Sequence, residues 1–149
     1  TIQGKATVTV EDYQSGRLWE DAVCHSFSPI DLHISSGTGL DMKPLAEGVV
    51  PTIPRAALLP AGSQGFIVAG RCISSDRLAN SALRVQATSM ATGQAAGAMA
   101  SLSVASGLEV EELSMSDVRA LLREHGAIVP GDSSYSAESS REVEMGEIG

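Results

Sequence analysis

Two neighbouring stretches constrain this chain more than any other feature. Residues 66–74 read FIVAGRCIS, and residues 82–102 read ALRVQATSMATGQAAGAMASL. The first opens on an apolar run, Phe66 to Ala69, with no polar alternation. That is the pattern of a strand buried on both faces, and so of a parallel or mixed sheet in an α/β protein. The run stops at Gly70 and Arg71. The second stretch reads as part of one long helix over residues 82–105, ended by Gly107. Gly93 and Gly97 stand four apart, with Ala96 and Ala100 alongside, and share a face. Each glycine costs about 0.8–1.0 kcal/mol relative to alanine in a helix interior. A neighbour lying close against the helix backbone is a sufficient reason for both. Ser89, Gln94 and the shortness of the apolar run argue against a membrane helix with the same spacing.

A buried strand that passes into a helix through a glycine turn is where α/β proteins hold ligands. The first N–H groups of the helix lack internal partners and sit at the positive end of its dipole. They can donate to a phosphate, a carboxylate or an electron-rich ring edge. Gly70 lets a ligand approach the backbone. Arg71 and Arg84 add charge that is always present. These physical arguments leave two readings open, a cofactor-contacting turn or an ordinary connection between strand and helix.

Elsewhere the elements are short. ATVTV, residues 6–10, alternates like a strand, and EDYQSG reads as a single turn stopped by Gly16. Residues 21–34 are expected to make a short helical turn and then extended chain. Residues 35–44 and the SSDRLANSA stretch read as loops. Three prolines in GVVPTIPRAALLP permit only short extended pieces. Ser114 with Asp117 has the form of a capping box before a helix whose stripe is Val118, Leu121 and Leu122, ending near His125 and Gly126. Residues 131–149 are rich in Ser and Glu and are expected to be disordered.

Composition narrows the function classes. The aromatic residues are Tyr13, Trp19, Phe27, Phe66 and Tyr135, so the core has to be aliphatic. The net charge of −8 is concentrated after residue 108, where ten acids face three bases. That argues against a nucleic-acid surface. Cys24 and Cys72 are too far apart for a CxxC pair, so neither a disulfide framework nor a metal site is expected, and both read as small buried thiols. No apolar run approaches a membrane span.

IVAGRCIS followed by LRVQATSMATGQAAGAMA resembles the C-terminal signature of a family of FAD-dependent oxidoreductases related to the glutathione-reductase-type flavoproteins. SPIDLH at 28–33, IPRAALLP at 53–60 and LREHGAIVP at 122–130 resemble further elements of that family, as does TIQG at 1–4. The resemblance implies the C-terminal half of a Rossmann-like FAD-binding domain, with FAD as cofactor and a small organic molecule as substrate. On that division residues 1–47 belong to a β-rich substrate or cap region, 48–106 to the FAD-binding domain and 107–130 to a C-terminal helix. The missing partner is an N-terminal nucleotide-binding half, since no G-x-G-x-x-G occurs in these residues. A cytoplasmic location is expected, any N-terminal signal lying outside this chain.

The resemblance also implies site residues. Ala69, Gly70 and Arg71 line the ribityl and pyrophosphate side of the flavin. Leu83, Arg84 and Val85 present backbone N–H groups near the pyrimidine edge, where positive charge would stabilise the reduced ring and raise its potential. Ser74 and Ser81 either donate to the cofactor or cap the next helix. His33 is the candidate acid or base on the substrate side, and Asp31 either orients it or caps its loop. Arg84 is the second candidate catalytic group. Arg55 is a candidate substrate contact, although Arg55-Ala56 stands where the family carries Tyr-Arg, and Arg77 stands where it often carries histidine. A non-catalytic module that keeps the packing without the cofactor is the alternative.

Overall fold

Capping chemistry, rather than long runs of β-formers, sets the first elements. The structure, a computed structural model, describes residues 1–33 and 40–131, with 32, 33, 40 and 41 described by their backbone. Helix α1 (Val10–Gln14) starts at Thr9, whose hydroxyl accepts from the Asp12 amide while the Asp12 carboxylate accepts from the Thr9 amide. This reciprocal cap overrides the strand expected at residues 6–10. What remains there is an isolated parallel bridge between Val8 and Ser75.

Two small antiparallel sheets follow. Strand β1 (Ala22–His25) pairs with β4 (Thr52–Pro54), and β2 (Ile30–His33) pairs with β3 (Leu40–Lys43). The helical turn expected after residue 21 is therefore strand. Ala22, Val23 and Cys24 are all buried, as a short strand covered on both faces requires. Part of the loop expected at 35–44 is also strand, because residues 40–43 find a complete antiparallel partner in 30–33. A 3-10 turn (Arg55–Leu58) continues β4.

Among the described residues there is no ladder on residues 66–69, and the expected strand of a parallel sheet is corrected to an extended segment. Val68 donates to the Leu58 carbonyl at 2.9 Å, Ile67 and Val68 are half-buried, and Phe66 is 69% exposed. An apolar run becomes a central strand only when both edges meet hydrogen-bonding neighbours. A second 3-10 turn (Gly70–Cys72) follows directly.

The stretch read as a loop after Ser74 is helix α2 (Arg77–Leu83). Asp76 explains it. One oxygen of its carboxylate accepts from Ala79 N at 2.7 Å and the other from Val10 N at 2.6 Å, so one side chain caps α2 and the first turn of α1. The single long helix expected over 82–105 is broken. Helix α3 (Gln86–Ser106) begins after Val85, which is extended with ψ 157°. The break exposes the Arg84 carbonyl, and Arg71 Nε donates to it at 3.2 Å. Gly107 ends α3 with φ +70°, as expected.

Helix α3 buries Thr88, Thr92, Ala95 and Met99, spaced as one stripe, while Met90, Gly93, Gln94, Gly97, Ser101 and Val104 are exposed. Nothing in the described residues comes within 4 Å of a Cβ built on Gly93 or Gly97. Helix α4 (Met115–Glu124) buries Val118 and Leu122, with Leu121 half-buried, and closes at His125. Its expected capping box is not made: the Ser114 hydroxyl pairs with that of Ser116 at 2.6 Å instead. The core gathers Tyr13, Ile30, Ile53, Leu58, Ile73, Leu83, Met99 and Leu122 from every layer. Two arginines lash its rim. Arg119 donates to the carbonyls of Glu20 and Ala22, and Arg55 to those of Val110 and Leu113.

Cys24 is buried, and burial pushes its thiol up to about 12. Cys72 is exposed, which corrects the expectation of two buried thiols. Among the described residues no helix is long and apolar enough to cross a membrane. The expected disorder of 131–149 falls on residues that, after Gly131, lie outside those described.

Candidate functional site

The break between α2 and α3 opens onto a cleft of about 320 Å³. Its walls come from six places in the chain. Ser28 and Pro29 belong to the β1–β2 connection, Asp31 to β2 and Met42 to β3. Arg71 comes from the 3-10 turn, Ser81 from α2, and Arg84 with Val85 from the break itself. A continuous helix would carry Arg84 and Val85 on in α-helical geometry. The extended Val85 sets them at the mouth of the cleft.

Hydrogen bonds hold the walls in register. The Asp31 amide donates to Ser81 Oγ at 3.1 Å, and Ser81 Oγ donates to the Leu78 carbonyl at 2.7 Å, which ties β2 to α2. The Tyr13 hydroxyl donates to the Ser28 carbonyl at 2.8 Å. Ser26 Oγ lies 3.0 Å from Tyr13 Oη and 3.0 Å from Thr88 Oγ1. With the Tyr13 proton on Ser28, Ser26 donates to Tyr13 and Thr88 donates to Ser26. This buried chain of hydroxyls fixes the Ser28–Pro29 wall against the first turn of α3. Burial holds the Tyr13 phenol above its ordinary value, so it stays a donor.

The electrostatics of the cleft are those of two guanidiniums and one carboxylate. Arg84 Nη2 lies 3.8 Å from Asp31 Oδ2, a loose pair with both side chains partly exposed. Arg71 is exposed and held by the Arg84 carbonyl. Two buried polar atoms have no partner among the described residues at this end of the molecule, Asp31 Oδ1 and Ser89 Oγ. Ser89 stands in the first turn of α3 against Gly70. Gly70 has φ +71°, and its amide donates to Thr92 Oγ1 at 2.9 Å. A guanidinium pair with orphaned polar atoms suits a ligand edge rich in acceptors that also carries a donor.

The candidate residues divide accordingly. Arg71, Arg84, Val85 and Ser81 line the cleft, and Asp31 joins them. Gly70 lies beside it, against Ser89. The Arg84 amide closes the last turn of α2 on the Asn80 carbonyl, so what Arg84 brings to the cleft is its side chain. Leu83 is fully buried in the core. Ala69 precedes the 3-10 turn, half-buried. Ser74 is buried with its hydroxyl 2.9 Å from that of Thr7, away from the cleft lining. Arg55 is committed to the carbonyls before α4. The backbone of His33 pairs with Leu40 at the end of β2, and its side chain lies outside the described residues.

Sequence reasoning did not single out Ser28, Pro29 or Met42 as cleft walls, nor Thr88 and Thr92 as its fasteners. The threonines did carry a signal: two β-branched polar residues four apart in a helix of Ala and Gly, both buried.

Residues 1–122 match the family model described as FAD dependent oxidoreductase. Among curated proteins and among solved structures nothing matches the chain. The match takes in every cleft residue and the whole of the α2–α3 break, and the chain belongs to the FAD dependent oxidoreductase family.

Proposed function

We propose that this chain forms one wall of the FAD site in an oxidoreductase that moves a hydride between a small organic substrate and flavin. The observation that carries the reading is the cleft itself. It draws Arg71, Ser81, Arg84 and Val85 from the AGR and LRV segments, and Ser28, Pro29 and Asp31 from SPIDLH, onto one surface. The donor set fits a part of FAD: two fixed cations, an orphaned carboxylate oxygen, an orphaned hydroxyl, and a glycine turn beside them. The volume stands at the low end of the roughly 300–1,000 Å³ of small-molecule sites, so it suits one end of the dinucleotide rather than all of it.

FAD, when bound, supplies the hydride acceptor. The chain's residues do the rest. The guanidinium of Arg84 favours negative charge at the ring edge facing it. Pro29 and Met42 give the cleft apolar walls against which a ring could lie. His33, two residues along β2 from Asp31, is the proposed acid or base toward substrate.

The pyrophosphate-binding unit of such a site, of the glutathione-reductase type with a Rossmann-like sheet, is proposed to come from residues outside this chain. The bare Gly93 and Gly97 face of α3 supports this, since it is shaped for close backbone contact and meets none among the described residues. The same bare face, with Arg55 committed to structure, also favours a second reading: a module that keeps the packing and has lost the cofactor. The test is flavin retention by the whole protein. FAD absorbance that co-purifies with it, with affinity about tenfold or more weaker in Arg84→Ala, supports the flavoenzyme. A colourless protein that binds no added FAD overturns it in favour of the module.

A further inference from the structure

The Asp31 carboxylate meets the cleft with one oxygen committed and one not. Oδ2 faces Arg84 Nη2 at 3.8 Å, while Oδ1 is buried with no hydrogen-bond partner among the described residues. An orphaned carboxylate oxygen is costly unless a donor reaches it. Among the described residues nothing is placed to supply that donor. The backbone amide of Asp31 is already spent on Ser81, and Arg71 is turned onto the Arg84 carbonyl. Asp31 and Arg84 line the cleft side by side, an acceptor next to a donor. A ligand edge complementary to that pair carries an N–H next to a carbonyl or anionic oxygen.

The imide edge of the flavin pyrimidine ring has this pattern, an N3–H between the O2 and O4 carbonyls. We infer that Asp31 is a ligand-recognition residue, its carboxylate accepting the flavin N3–H while Arg84 takes the adjacent carbonyl oxygen. The inference rests on the cleft being an FAD site. It assigns Asp31 a role separate from His33, and it makes the loose Asp31–Arg84 pair a preorganised reader of one ligand edge. No bond is made or broken in this step, and the proton stays on N3.

The probe is FAD against its N3-methyl derivative, which lacks the donor and keeps both carbonyls. Apoprotein from the whole protein is titrated with each by fluorescence quenching, with no turnover required. Wild type is expected to prefer FAD by about tenfold or more, the weight of one charge-assisted hydrogen bond. Asp31→Ala erases the preference. Asp31→Asn, whose amide oxygen is a neutral acceptor worth about half as much, reduces it to about threefold. Equal wild-type binding of the two flavins overturns the inference while leaving the site reading intact, and so does a full preference that persists in Asp31→Ala. Should alanine at 31 prevent folding, an undiminished preference in Asp31→Asn overturns it too. If wild type binds neither flavin, the site reading falls and the inference falls with it.

Discussion

The amide of Gly70 donates to the hydroxyl of Thr92 at 2.9 Å. One bond joins the glycine turn to the second turn of α3, and both ends are tightly specified. Gly70 sits at φ +71°, and Thr92 is fully buried. The Thr92 hydroxyl is satisfied in turn by the carbonyls of Thr88 and Ser89 at 2.9 and 3.1 Å. Replacing Thr92 by valine keeps the shape and strands the Gly70 amide. We expect a loss of about 1–3 kcal/mol in urea unfolding, most of it recovered in Thr92→Ser.

Gly93 and Gly97 set packing against propensity. A Cβ at either position meets nothing within 4 Å in the described residues. Gly93→Ala and Gly97→Ala should therefore each stabilise this chain by about 0.8–1.0 kcal/mol, measured by the urea midpoint. If the face receives a close-packed neighbour, Gly97→Leu in the whole protein loses flavin even though the chain itself stays folded. A Gly97→Leu protein that holds FAD as well as wild type would remove that face from the binding argument.

His25 makes stability pH-dependent. Burial depresses its basicity below the ordinary histidine value of 6.5, and its Nδ1 has no partner among the described residues. The unfolded state therefore binds the proton more readily than the folded state. The contribution of neutral His25 is whole above pH 6.5 and is lost as pH falls through the lower folded value. Urea unfolding between about pH 7.5 and 5.5 should show stability falling with pH, with a shallower fall in His25→Phe. Identical slopes in the two proteins would contradict the assignment.

The cysteines differ in reactivity. Cys72 is exposed, whereas Cys24 is buried with its thiol pushed up to about 12. A thiol reagent added to the native protein should label Cys72 quickly and Cys24 only after denaturant. In Cys72→Ser the fast phase should vanish.

Several features were decided within the sequence because they depend on neighbours in the chain. The stop at Gly107, the Val118 and Leu122 stripe of α4, the short extended pieces between prolines, and the glycine–arginine turn at 70–71 all follow from local chemistry. The AGR and LRV segments also marked two of the cleft's walls and the family to which the chain belongs. Other features needed partners far along the chain. Residues 66–69 have the composition of a buried strand, but hydrogen-bonding neighbours on both edges make a strand, and the described residues offer one bond. Asp76 turned an expected loop into α2 because its carboxylate could hold its own helix start and also the amide of Val10, 66 residues away. The break at Arg84 and Val85 depends on Arg71 taking up a carbonyl thirteen residues away. That break sets Arg84 opposite Asp31, and the pairing of a cation with a half-satisfied carboxylate exists only once the two segments are folded together. Periodicity and propensity report on one segment at a time, and a binding site is a relation between several.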